Sequence, residues 1–270
     1  MEEEKNIISA TVSELGSNDE PYSLYIDPAE EARVVRTIDF NILSLVGLLY
    51  FLAALDRSNI GNSAAAGLKK EIGLSSAQLS NCVSLMYVTY ILSEWPATLL
   101  FKKLKPHRFL AVCGFCWGIV TICMLFVQSY GSLLALRILL GLFEGGYFPC
   151  LAVMVSMFYK PEEQGLRMAI VLSFAALAGA FGGLISYALV QVKSDNYYLQ
   201  GYRLIYLVEG LITILAVPLV FFFVPDSPQQ CRFLNEKEKK IMAIRTKQRE
   251  AYMGNDKFEW KEIVKAFSDP

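Results

Sequence analysis

Six ionisable side chains, Asp56, Arg57, Glu94, Arg137, Glu144 and Glu209, lie in or at the edge of long apolar stretches of the chain. A charge at the centre of a bilayer costs about 2.5–3.5 kcal/mol on insertion scales, so six there would cost on the order of 15–20 kcal/mol together. A fold that is stable by only about 5–15 kcal/mol cannot leave them unpaired in hydrocarbon. They must face a packed interior or a wet cavity, and some must pair. Arg137 and Glu144 are seven residues apart. Seven helical steps return to nearly the same face, about 10 Å further along the axis. Both therefore suit one cavity, with the arginine binding an anion and the glutamate handling a proton. The plainer reading is that either one braces a neighbouring helix.

The remaining charges divide differently. Asp56-Arg57 ends an apolar run and is followed by SNIGNSAAAG, whose small residues let a helix continue in close contact with others. Arg57 then projects into a cavity, or it is an interfacial arginine that snorkels to water. Glu94 precedes Trp95-Pro96, where proline frees backbone groups. It is expected to bond those groups or pair with the basic loop that follows, a structural or gating role. Glu209, in YLVEGL, suits packing or gating in the same way, as do Asp56 and Asn59. Glycines cluster in GLFEGG (Gly141, Gly145, Gly146) and AGAFGG (Gly179, Gly182, Gly183), and both suggest close helix packing. Pro149 is expected to kink its helix one turn beyond Glu144.

Other signals carry little chemistry. Cys113 and Cys116 form a CxxC inside an uncharged apolar helix, where cysteines are small buried hydrophobes and not metal ligands. The single histidine, His107, sits in a basic loop beside the headgroups. Dinucleotide, P-loop and zinc-protease motifs are absent, and so is the nucleophile elbow. Neither an enzyme nor an ATP-driven pump is expected, and no cofactor or metal.

These residues need elements to hold them. Of 270 residues, 54% are hydrophobic and only 19% charged, with mean hydropathy +0.38. Soluble domains carry about 25% charge. The net charge of −1 offers no electrostatic case for nucleic acid. The composition predicts an all-α polytopic membrane protein embedded in the lipid bilayer. A crossing needs about 20 residues, and six blocks qualify, at roughly 39–58, 77–101, 109–128, 132–158, 168–192 and 203–225. Lysines and arginines in and beside the loops number twelve on one side of these spans and four on the other. That bias predicts cytoplasmic termini.

The expected domains are an N-terminal tail over 1–37, a six-helix bundle over 38–225 and a linker over 226–270. The tail holds nine acidic and three basic residues and reads as solvated. In the linker, Asn235 and Glu238 have capping-box spacing, which predicts a helix over about 236–250. FEWKEIVKAF then spaces Trp260, Ile263, Val264 and Phe267 as one apolar helix face, able to lie on a membrane surface.

Four motifs come in order along these elements: YFLAALDRSNIGNSAAAG, RILLGLFEGGYFPC, YRLIYLVEGLITI, and VPDSP followed by FLNEKEK. With them the chain resembles, over about 28–270, the N-terminal half of a major facilitator superfamily transporter. It is most similar to the fungal anion:cation symporters, the allantoate, nicotinate and pantothenate permeases. The resemblance implies proton-coupled uptake of a small organic anion at the plasma membrane, and a half built of inverted three-helix repeats. It implies that Arg57 binds anionic substrate and that Glu144 takes part in proton coupling. The fourth-helix arginine, Arg137, is tied in the superfamily to proton coupling, and its positive potential also favours the anion. The loop FKKLKPHR is a degenerate form of the family's charge-relay loop. Six further helices would follow in the family. The alternative reading is a half that works only with a second six-helix half or a full-length permease, as an inactive fragment or a regulatory partner.

Overall fold

The computed structural model describes residues 26–192 and 195–253. In hydrocarbon every backbone N–H and C=O must be satisfied within its own segment, so apolar blocks of this length become helices. In chain order the helices are α1 (Pro28–Ile38), α2 (Ser44–Ala65), α3 (Leu68–Glu71), α4 (Ser76–Lys103), α5 (Pro106–Cys123), α6 (Tyr130–Glu144), α7 (Tyr147–Phe158), α8 (Pro161–Val190), α9 (Tyr202–Phe223) and α10 (Glu236–Met253). A π-helical turn, Asp39–Leu43, precedes α2.

The chain divides into two units. Thr37–Phe233 holds the apolar blocks. Among the described residues five helical stretches, ending at Ala65, Phe126, Phe158, Val190 and Phe223, are long and apolar enough to cross a membrane. The sixth expected span, α4, has the length at 28 residues. Serines, Asn81, Thr89, Glu94 and Thr98 dilute its apolarity. Ser75 caps it reciprocally with Gln78. As expected from its small residues, α2 runs past Arg57 to Ala65, and Gly67, at φ +109°, ends it in a conformation that disfavours a Cβ.

The fourth span is not one helix kinked at Pro149. It breaks at Gly145-Gly146, directly after Glu144. Pro149 falls in the first turn of α7, where a missing N–H is tolerated.

With the spans counted as α2, α4, α5, α6–α7, α8 and α9, the main packing pairs are first with fifth, second with fourth, and third with sixth. Lesser contacts join first with sixth and third with fourth. Adding three to every span number, and counting on from one after six, returns the same set: first–fifth exchanges with second–fourth, first–sixth with third–fourth, and third–sixth maps onto itself. That invariance marks two three-helix repeats. Because three is odd, they cross the membrane in opposite senses, as the resemblance implied.

The closest approach is between α4 and α6. A Cβ built on Gly141 would lie 2.4 Å from the Met86 carbonyl oxygen, and one on Gly145 would lie 2.3 Å from that of Tyr90. Ser93 Oγ–H reaches across to the Gly141 carbonyl at 3.2 Å. Of the second glycine cluster only Gly182 meets a neighbour, at Ser58 and Leu55. Gly179 and Gly183 have nothing within 4 Å, so close packing does not explain them. Large apolar side chains such as Leu184, Leu215, Phe222 and Phe223 point outward, and α8 is the least covered span. A surface of this kind suits lipid tails.

The second unit comprises Met1–Arg36 and Leu234–Pro270. Within it the buried Arg245 pairs with Glu31 of α1. The Glu238 carboxylate accepts the Asn235 backbone N–H at 2.8 Å and starts α10 at Glu236, the capping pair read from the sequence. The stretch expected to be a solvated tail is helical from Pro28. The rest of that tail, residues 1–25, and the apolar face of Trp260, Ile263, Val264 and Phe267 lie outside the described residues.

Candidate functional site

Arg57, on the fourth turn of α2, faces the break after Glu144. Its Nε lies 3.0 Å from Glu144 Oε1, with 19% of the Arg57 side chain exposed and 1% of Glu144. The Nε–H itself points at the Ala53 carbonyl, 3.2 Å away. The pair is therefore held by charge at short range, and neither Glu144 oxygen accepts a hydrogen bond. The guanidinium lies 5.4 Å from the Tyr50 ring centre and 5.7 Å from that of Tyr90, in reach of cation–π attraction from both. The arginine is reachable from solvent and the glutamate sits behind it.

This differs from the expected partnership. Seven steps along one helix keep Arg137 and Glu144 on one side but well separated along the axis, and they form no ion pair. Arg137 is fully buried. Its guanidinium donates to the Tyr206 hydroxyl at 3.2 Å and approaches Met86 Sδ at 3.9 Å, with the Tyr206 ring centre 5.9 Å away. Its Nε–H has no acceptor. Among the described residues no carboxylate pairs with it, so it is a source of positive potential in the interior.

A second polar cluster joins three spans. Asp56, 1% exposed, accepts Thr121 Oγ–H at 2.6 Å and the Trp117 indole N–H, both from α5. Asn59 Nδ2 reaches Asp56 at 3.4 Å and also donates to Glu209 on α9. Asp56, Asn59 and Glu209 thus come together, as a gate or brace would require. Glu94 does not join either group. It is half-buried on α4, and no hydrogen bond or ion pair is made by its carboxylate among the described residues; the Thr98 hydroxyl bonds its backbone carbonyl at 2.7 Å.

Tyr50, Tyr90, Trp117 and Thr121 had not been singled out. Tyr50 had a signal, since it lies seven residues before Arg57 on the same helix face. Trp117 and Thr121 had none, because nothing in a sequence tells which span opposes Asp56.

Both ends of the bundle are braced. At one end Arg167 grips Asp39 through two N–H groups, at 3.1 and 3.2 Å. There His107 Nδ1 lies 2.5 Å from Asp226 Oδ1, so the histidine joins the start of the third span to the chain after the sixth. At the other end Arg203 holds both oxygens of Glu71, at 2.6 and 2.8 Å, and donates to the Tyr197 hydroxyl.

Residues 46–270 match the pattern of the Major Facilitator Superfamily. An uncharacterised transporter of Schizosaccharomyces pombe is 43% identical over 100% of this chain and 56% of its own length. A high-affinity nicotinic acid transporter of Saccharomyces cerevisiae is 36% identical over 88% of this chain and 44% of its own. The chain spans about half the length of these relatives. Among solved structures, a bacterial homologue of the human lysosomal transporter Spinster, inward-facing and unoccupied, superposes with a TM-score of 0.63 at 18% identity. That match covers 75% of this chain and 45% of the other, and shows the fold, a six-helix half.

Proposed function

The chain belongs to the major facilitator superfamily, and on that footing we propose that it serves proton-coupled uptake of a small organic anion, with Arg57 as the anion's contact and Glu144 as the proton's. The observation that carries this reading is the Arg57–Glu144 pair, in which, among the described residues, a reachable guanidinium is the one ion-pair partner of an enclosed carboxylate with no hydrogen bond.

Two carboxylates cannot both be neutralised by one guanidinium. While Glu144 is charged it occupies Arg57, and a substrate carboxylate arriving there meets a like charge. When Glu144 takes a proton, Arg57 is released to the substrate and keeps its Tyr50 and Tyr90 stacking. Arg137 adds a fixed positive potential that favours the anion throughout. Loss of the proton on the other side returns Glu144 to Arg57 and expels the substrate. Glu144 ends α6 at the break before α7, so a tilt of one segment against the other changes its reach. The acid-to-anion coupling then follows from competition for one cation.

The bias of loop charges supports a cytoplasmic side for both termini, and the membrane is taken to be the plasma membrane. The nicotinic acid transporter relative makes an aromatic monocarboxylate the first probe. The test is uptake of labelled nicotinate, and of a panel of small carboxylates and sulfonates, by cells expressing the protein. Uptake should rise at acid pH and collapse with a protonophore. Glu144→Gln should abolish the pH dependence, and Arg57→Met should abolish uptake. Normal pH-dependent uptake by Glu144→Gln refutes the coupling role.

A further inference from the structure

We propose that Glu209 is held as the neutral acid, its proton closing a ring of two hydrogen bonds with the Asn59 carboxamide and so forming a proton site separate from Glu144. Two buried acceptors, one on each side of a single hydrogen bond, are left without donors. Asn59 Nδ2 donates to Glu209 Oε2. The other oxygen of each group, Asn59 Oδ1 and Glu209 Oε1, is buried and without a partner. When one N–H···O bond joins a carboxamide to a carboxyl in a common plane, their remaining two oxygens lie side by side. As a carboxylate Glu209 is acceptor-only, and those oxygens repel. As the acid it has one O–H to give, and Asn59 Oδ1 is the acceptor it lacks. One proton satisfies both orphaned atoms, each of which otherwise carries the full desolvation penalty.

The orientation of the amide is fixed by its surroundings. Nδ2 faces Asp56 Oδ1 at 3.4 Å as well as Glu209. Turning it over would set an oxygen against two carboxyl oxygens. The two acids are also unequal. Asp56 accepts from three donors, Trp117, Thr121 and Asn59. Glu209, 5% exposed, accepts from Asn59 alone. Among the described residues no cationic side chain pairs with either.

The charged and titratable groups around Glu209 are few. From α2 it meets Asp56 through Asn59. From α5, Trp117 and Thr121 both donate to Asp56. On α6, Arg137 is engaged by Tyr206, one turn away on α9. On α8 the ionisable residues are Glu162, Glu163 and Arg167 in the first two turns, and Tyr187, which is 70% exposed. None of these supplies a counter-ion. The bound proton thus ties α2 to α9, the first span to the sixth, at a point where no ion pair among the described residues does so.

The test is infrared spectroscopy of the purified protein in lipid nanodiscs at neutral pH. A protonated-carboxyl C=O band is expected in wild type and in Glu144→Gln, shifting in D2O and absent from Glu209→Gln. Retention in Glu144→Gln separates this site from the coupling residue, so either reading can fail alone. Glu209→Gln presents an amide that completes the same ring, and it should melt no lower than wild type. Should that variant not fold, Glu144→Gln protein labelled with carboxyl-13C glutamate must still show an isotope-shifted acid band. Absence of any Glu209-dependent acid band at neutral pH overturns the proposal. So does a band that vanishes with sodium chloride but not with choline chloride while the melting temperature rises, since the oxygens would then hold sodium.

Discussion

Replacing Arg57 by methionine keeps most of the side chain's apolar stem and removes its charge, which isolates what the Glu144 pair contributes. At 3.0 Å and an effective dielectric of about 20, the attraction is about 5.5 kcal/mol. Desolvation of both groups offsets part of it. Breaking a buried pair by deleting one partner costs about 3–5 kcal/mol, because the survivor is left buried and uncompensated. Glu144 would be such a survivor, with both oxygens lacking donors. For a bundle of this size the loss corresponds to a drop in melting temperature on the order of 10 °C. The comparison is a double-mutant cycle by thermal melting in nanodiscs at alkaline pH, where proton uptake offers least relief. Arg57→Met should melt far below wild type, and Arg57→Met with Glu144→Gln should recover most of the loss. Additivity of the two substitutions to within about 0.5 kcal/mol would mean no interaction, and the reasoning about a held pair would fail.

Two further outcomes follow from other parts of the bundle. Gly145→Ala sets a Cβ 2.3 Å from the Tyr90 carbonyl oxygen, so α4 and α6 must part by about 1 Å, at a cost of ~1–3 kcal/mol; Gly131→Ala on the same helix meets nothing within 4 Å and should be neutral or stabilising, and equal melting of the two variants would refute the close seam. At the Arg203 end, hydrogen bonds from the Arg203 guanidinium hold the Glu71 carboxyl below its usual range. A carboxyl depressed in the folded state stabilises above its unfolded pKa and loses that contribution as pH falls through the folded value. Glu71→Gln should therefore melt below wild type at neutral pH, with the gap closing on acidification; a gap that persists unchanged into acid would show that the bond acts through packing instead.

What the sequence made legible was whatever depends on neighbours along the chain. Apolar length marked the spans, and Asn235 with Glu238 marked the start of α10. The cost of burying charge singled out Arg57, Arg137, Glu144 and Glu209 before any coordinates. What stayed hidden depends on which spans touch. The i, i+7 relation made Arg137 and Glu144 look like partners, yet Arg57, from another span, is closer. Trp117 as a donor to Asp56 and His107 as a partner of Asp226 lie 61 and 119 residues away from their acceptors. Pro149 draws the eye as the breaker because proline disrupts a mid-helix position, but in the first turn of α7 it is tolerated and the glycines make the break.

The seam between α4 and α6 has a consequence for how such a protein can change. Where side chains fill an interface, a methyl lost on one helix can be answered by one gained on the other, and the pair drifts together. Gly141 and Gly145 have no atoms to lose, and any atom gained meets a main-chain oxygen that every residue type carries alike. No compensating substitution exists on the opposite helix. The spacing at this seam is therefore a rigid dimension through which the lineage cannot wander, while the outward faces of the same two helices remain free to vary.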